Sequence, residues 1–242
     1  VLHWRTSCVQ GRVRSVWAAL GIAAVGALVS ACASEPGAPA GGDDTTADDE
    51  IRVVAKCERD FGAPLRKKVE LAKDELRRTD AAFAKRVLAA LDDGSVKVFP
   101  FCQMAPQHFE HFRADTDLSA FGATPEEQWR RLRDGQTRGM RSVHAQLDGY
   151  MWDDHVYIAT GGDLKMTVET LAHEAEHVFR KAHERNFKDQ RVTCVEEHAA
   201  ARAEVLVHKD DLSPEEDRAL LDRTIDLYEL DKIAPGTCGY RR

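Results

Sequence analysis

Between Thr170 and Lys181 the chain reads TLAHEAEHVFRK, and His173-Glu174-Ala175-Glu176-His177 within it sets two histidines four residues apart with a glutamate directly after the first. On a helix, residues i and i+4 stand one above the other on the same face, so both imidazoles can reach one metal ion with Glu174 beside them as a base. The spacing therefore calls for a helix here. It reads from about Met166 to Glu184, with Leu171, Ala175, Val178 and Ala182 on a buried face.

Two histidines do not complete a zinc site; a third protein ligand is expected, with water in the fourth position. The stretch Thr193–Glu204, TCVEEHAAARAE, supplies Glu196 and Glu197 as candidates. Thr193-x-x-Glu196 has the form of a capping box, which gives Glu196 work at a helix N-terminus and leaves Glu197 as the preferred metal ligand.

Nineteen residues separate His177 from Glu197 and eighteen separate it from Glu196. The first spacing resembles that of thermolysin-like gluzincin zinc metallopeptidases, the second that of the related aminopeptidases; the resemblance covers Met166–His208. It implies a zinc ion (Zn2+) held by His173, His177 and Glu197, with Glu174 as the general base that takes a proton from the zinc-activated water and hands it to the leaving amine. It further implies a peptide or protein substrate and a donor to the oxyanion, for which Tyr228, Tyr240 and His208 are candidates. The pattern departs at Ala201, where the thermolysin-like enzymes carry an aspartate that orients a histidine. Glu204, on the same helical face as Glu197, can take that part, or it can serve as a cap or a surface residue. The competing reading is a zinc-containing lipoprotein whose site is structural or inactive and serves binding. The intact Glu174 argues against it, because a structural site needs no base.

The first residues follow other rules. Arg5, Arg12 and Arg14 precede an uncharged, alanine-rich run from Val16 to Ala31, whose sixteen residues suit the apolar region of a signal peptide better than a bilayer span. It ends Leu28-Val29-Ser30-Ala31-Cys32, which resembles a bacterial lipobox and implies lipidation of Cys32. Ala33–Glu50 is built of Gly, Pro, Ala, Thr and acids without apolar periodicity, the composition of a disordered tether. The expected organisation is a lipoprotein signal peptide over 1–31, the lipidated Cys32 and tether over 32–50, and one zincin-like metallopeptidase domain over 51–242. The expected address is that of an exported bacterial lipoprotein, held at a membrane through its N-terminal lipid in the periplasm, at the outer membrane or on the cell surface.

Without Arg5, Arg12 and Arg14 the chain carries 31 Lys and Arg against 41 Asp and Glu, an acidic balance that argues against a nucleic-acid partner. Mean hydropathy of -0.44 excludes a multi-span membrane protein. Beyond Cys8 and Cys32, four cysteines remain, an even number that suggests two disulfides in an exported domain. Three pairings are open. Cys57–Cys102 with Cys194–Cys238 is preferred, since each would close a local unit.

The remaining chain reads as α+β, predominantly helical with a small sheet. Pro64 opens an amphipathic pattern to Leu91 that closes at Gly94; Ser95–Phe101 reads as a short strand. His108 and His111 fall in an aromatic stretch and read more readily as loop residues than as ligands. Thr124-Pro125-Glu126-Glu127 and Ser213-Pro214-Glu215-Glu216 are helix starts. His155–Thr160 reads as a strand, either in the core or, by the order of elements, along the edge where a substrate would pair.

Overall fold

The computed structural model describes residues 45–135, 141–142, 148–233 and 236–238. The expected signal peptide over 1–31 and Cys32 lie outside the described residues. Helix α1 (Thr45–Cys57) passes through a π-helical turn, Glu58–Gly62, into α2 (Ala63–Arg78). Pro64 accounts for the turn. It has no N–H to give, and its ring crowds the carbonyl four residues back, so inside a continuing helix the ladder widens. The N–H of Ala63 accordingly reaches back to the carbonyl of Glu58. Pro64 stands in the first turn of α2, as expected, but the helical path that reaches it already begins at Thr45, within the segment read as tether to Glu50.

The helix expected to run to Leu91 is divided into α2 and α3 (Ala82–Asp93). Thr79 and Ala81 adopt extended backbone, and Thr79 Oγ1 accepts the N–H of Ala81 at 3.3 Å, a local bond that competes with the helical ladder. Helix α3 ends at Gly94, whose φ of 78° is a left-handed position that favours glycine. Then come β1 (Lys97–Pro100), α4 (Pro106–Asp115), β2 (Thr116–Asp117), α5 (Pro125–Arg133), β3 (Arg141–Ser142), β4 (Gly149–Trp152) and β5 (His155–Ile158). The chain closes with α6 (Leu164–Phe179), α7 (Gln190–Leu206), α8 (Pro214–Leu227) and α9 (Leu230–Ile233). The capping boxes at Thr124 and Ser213 both form.

The fold is α+β and predominantly helical. Its three-stranded sheet has the order β1-β5-β4, with β1 parallel and β4 antiparallel to β5. Side chains of β5 alternate between two cores, as the pleat requires. Val156 and Ile158 pack with Leu76, Val87 and Leu171 beneath α2, α3 and α6, whereas Tyr157 joins Phe101, Phe112 and Leu132 on the opposite face. Burying each such large side chain contributes about 1.5–3 kcal/mol, which fixes α6 against the sheet. Lys68 Nζ secures the loop leading into α6 by donating to the carbonyls of Thr160 (2.7 Å) and Gly162 (2.6 Å). The strand read as 155–160 is the central one, so the edge that runs beside α6 is β4.

A separate small core joins α7 to the end of the chain: Cys194, Ile225 and Leu230, flanked by Leu221, Tyr228 and Cys238. The disulfides are Cys57–Cys102 and Cys194–Cys238, the preferred pairing. Two such bonds fit an oxidising, exported environment. Among the described residues no helix is long and apolar enough to cross a membrane.

Candidate metal centre

Helix α6 begins at Asp163, whose side chain accepts the N–H of Met166 at 2.8 Å, and it ends before Lys181, which takes a left-handed φ of 53°. The helix is thus shorter than the expected 166–184, with Ala182–Glu184 forming a separate 3-10 turn. His173, Glu174 and His177 all lie within it. The two imidazoles stand 4.9 Å apart between centroids and nearly perpendicular.

Helix α7 starts earlier than Thr193. Its cap is Asp189, which accepts the N–H of Arg191, and the Thr193 hydroxyl donates instead to the carbonyl of Phe187 at 2.7 Å. The capping box assigned to Thr193 and Glu196 is therefore not formed. Glu196 sits inside the helix and receives Arg180 in a two-pronged bond of 2.7 and 3.1 Å. Glu197, one residue on, is turned by about 100° around the helix axis and faces α6.

There Glu197 Oε2 lies 3.6 Å from His173 Nε2 and Glu197 Oε1 lies 3.8 Å from His177 Nε2. One donor atom from each of the three residues lies within 4.8 Å of the others. Both contacts to Glu197 are longer than hydrogen bonds. They match instead the separation of about 3.4 Å between ligands placed tetrahedrally at about 2.0–2.1 Å from one zinc ion. The donor set of two imidazoles and a carboxylate suits zinc, and three acids crowded around two imidazoles in a buried place call for a cation.

The surrounding side chains hold the donors in place. Glu204 Oε1 lies 2.8 Å from His173 Nδ1, which directs Nε2 of that ring toward Glu197. Arg223 reaches Glu204 Oε2 at 3.3 Å, and Tyr228 donates its hydroxyl to Glu197 Oε2 at 2.6 Å. His177 Nδ1 is buried and finds no hydrogen-bond partner among the described residues. Burial disfavours the charged imidazole of His173, but Glu197 and Glu204 outweigh it and hold its pKa well above the usual value. Burial lowers His177 to about 4. Glu197 would be raised by burial, yet the neighbouring imidazoles and the Tyr228 hydroxyl bring it down to about 2. Glu174 is raised to about 7 by burial, with Glu197 and Glu204 adding to the shift.

No protein-family model, characterised protein or solved structure matches the chain.

Of the residues singled out in the sequence, His173, His177 and Glu197 come together, Glu174 lies beside them on α6, and Glu204 contacts His173. Tyr228 reaches the centre as the partner of Glu197. His208 instead faces Glu169 at 3.4 Å, and Tyr240 lies outside the described residues. His108 bonds the Tyr157 hydroxyl at 2.8 Å and His111 stacks on Trp152, so neither joins a metal cluster among the described residues. A groove of about 510 Å³ between α2 and β1, lined by Arg66, Lys73, Val98 and Phe99, is a separate feature.

Sequence reasoning missed Arg223 and Gly149. A Cβ on Gly149 would stand 2.5 Å from Glu174 Oε1 and 2.9 Å from its Cγ, so the bare backbone of edge strand β4 is what leaves room for that carboxylate. The only signal in the sequence was a glycine opening the run Gly149-Tyr150-Met151-Trp152.

Proposed function

We propose that this protein is a zinc-dependent peptidase that hydrolyses peptide bonds, with His173, His177 and Glu197 as metal ligands and Glu174 as general base. When bound, zinc supplies Lewis-acid polarisation and acidifies a water to near neutrality. Glu174 takes a proton on its carboxylate and returns it to the leaving amine, a cycle suited to a group whose pKa lies at about 7. His173 keeps its Nδ1 on Glu204 and presents Nε2, while Tyr228 and Arg223 keep Glu197 and Glu204 from turning away.

The observation that carries this reading is Glu174 itself. It is only 7% exposed, lies beside the two histidines and has no ion-pair partner among the described residues, an arrangement that costs stability and has no use in a purely structural site. The contact of Glu204 with His173 supports this reading at the place where the pattern departs at Ala201. The proposed setting is that of an exported lipoprotein anchored through Cys32, which the two disulfides favour.

The test combines zinc analysis with cleavage of a peptide library by the purified full chain and by Glu174→Gln. Stoichiometric zinc in both proteins, with cleavage by the parent alone, is the expected result. Absence of zinc from the parent purified without chelator, or zinc with no cleavage of any peptide, would overturn the proposal.

A further inference from the structure

The sheet order β1-β5-β4 leaves β1 on an edge, paired among the described residues with β5 alone. The N–H of Lys97 donates to the carbonyl of Asp154 at 2.8 Å, so the backbone of Lys97 faces β5. Successive residues of a strand turn their N–H and C=O groups to opposite sides, so Phe99 also faces β5 and Val98 faces outward. Neither the N–H nor the C=O of Val98 meets a partner among the described residues. On either side the edge has no donor to offer. The N–H of Val96 is taken by the carbonyl of Ala90 at 3.0 Å, and Pro100 has no N–H. The open stretch is therefore short and centred on Val98, suited to one brief segment and not to continued sheet growth.

A groove of about 510 Å³ runs along this edge, with α2 and the end of α3 as its other walls. Its apolar lining includes Val69, Val98 and Phe99, all three only half-buried, so the space beside the open backbone is both reachable and apolar. These are the two parts of strand addition: main-chain bonds for affinity, and contacts to alternate side chains for choice.

Charge decides which segment fits. The lining carries Arg66, Lys67, Lys73 and Lys97 against the single acid Glu70, an excess of three positive charges on a chain whose formal net charge is -7. Arg66, Lys73 and Lys97 also touch Glu58, Asp92 and Asp154, acids outside the lining. The Arg66 and Lys97 pairs are exposed and contribute little to stability, so those cations can be shared with an incoming carboxylate. Lys67 is exposed and has no ion-pair or hydrogen-bond partner among the described residues.

We propose that the groove between α2 and β1 is a docking site for an extended acidic peptide segment. The segment adds to β1 through the N–H and C=O of Val98 and sets its carboxylates against Lys67 and Lys97. This site does not rest on the reading of the metal centre.

The probes are five-residue peptides, acetylated and amidated, in which valine alternates with glutamate, with glutamine or with lysine. A fourth probe is the glutamate peptide with its backbone amides N-methylated. Binding to the full chain carrying Glu174→Gln is read by calorimetry; the substitution keeps a probe from being consumed should the metal centre hydrolyse it. The glutamate peptide is expected to bind about tenfold more tightly than the glutamine peptide at low ionic strength, with the lysine peptide weakest and the differences shrinking as salt rises. N-methylation removes the donors that a paired strand needs and should lower affinity about tenfold or more. In the protein, Val98→Pro removes the outward N–H while Lys97 and Phe99 still face β5, and it should abolish binding. Lys67→Glu combined with Lys97→Gln should remove the preference for glutamate. If Val98→Pro does not fold, the N-methylated peptide and the charge variant decide. Equal binding of the glutamate, glutamine and lysine peptides, undiminished binding after N-methylation, or no binding at all overturns the proposal. Dimerisation of the chain that Val98→Pro abolishes, without peptide binding, would assign the edge to a second copy and likewise overturn it.

Discussion

Glu204 Oε1 lies 2.8 Å from His173 Nδ1, so a residue of α7 orients an imidazole of α6. In the proposed zinc site this contact keeps the proton of the neutral ring on Nδ1 and leaves Nε2 as the donor. Removing it by Glu204→Ala is expected to lower zinc affinity about 10–100-fold without unfolding the protein. Competition against a chelator of known affinity reads the change. An unaltered affinity would show that Glu204 merely caps the surface.

Tyr228 fastens the ligand on the facing helix, and its ring belongs to the small core built around Cys194–Cys238. Tyr228→Phe keeps the ring and loses the hydroxyl, so zinc affinity should fall about tenfold, the loss of one charge-assisted hydrogen bond. Cys238→Ser should act in the same direction by loosening the core that holds Tyr228. If both variants match the parent in chelator competition, Glu197 does not depend on α8 for its position.

Metal binding should release protons. In the metal-free protein His173 is held well above its usual pKa, so at pH 7 it carries a proton that zinc must displace from Nε2. His177, lowered to about 4, and Glu197, lowered to about 2, are already deprotonated there and contribute none, whereas Glu174, raised to about 7, adds part of a proton as the cation lowers its pKa. Because the free form binds more protons, affinity rises with pH and falls about tenfold for each pH unit below the His173 pKa. Calorimetry in buffers of different ionisation enthalpy counts the protons. No release between pH 6 and 8 would contradict the assignment.

Gly149 offers a test that leaves the ligands untouched. With Gly149→Ala the new methyl would meet Glu174 Oε1 at 2.5 Å and Thr170 Cγ2 at 2.8 Å, so the base must move. Zinc content should stay the same while kcat on a cleaved peptide falls about a hundredfold, the usual effect of displacing a reacting group by about 1 Å. Loss of zinc along with activity would instead indicate general damage to the site.

Much of this site was legible because its residues come in fixed helical steps. The i,i+4 histidines, the adjacent base and a glutamate on the next helix are all encoded as spacing. Capping boxes at Thr124 and Ser213 were readable for the same local reason. One misreading came from treating a local signal as sufficient: Thr193 lies one turn inside a helix capped by Asp189. Pro64 does stand in the first turn of α2, but a π turn joins that helix to the one before it. What stayed hidden was set by tertiary packing. That Arg223 meets Glu204, or that Gly149 lies against Glu174, depends on how α8 and β4 cross the active helix, and no sequence interval records that crossing.

The choice between Glu196 and Glu197 can be decided by separating metal binding from stability. The preference for Glu197 was first based on a capping role for Glu196, and that role is absent; the actual occupation of Glu196 is its pairing with Arg180, whose two bonds join α6 to α7. Glu196 is 2% exposed, whereas the arginine is partly open to solvent. Glu196→Ala should therefore lower stability by about 2 kcal/mol, less than the loss of a fully buried pair, while stoichiometric zinc is retained. Glu197→Ala should do the reverse. It removes a carboxylate from an acidic cluster, so the metal-free protein should be at least as stable as the parent, and zinc affinity should collapse because only two ligands remain. Denaturant unfolding of the metal-free proteins and chelator competition of the loaded ones give four measurements. If Glu196→Ala abolishes zinc binding and Glu197→Ala preserves it, the third ligand has been assigned to the wrong residue.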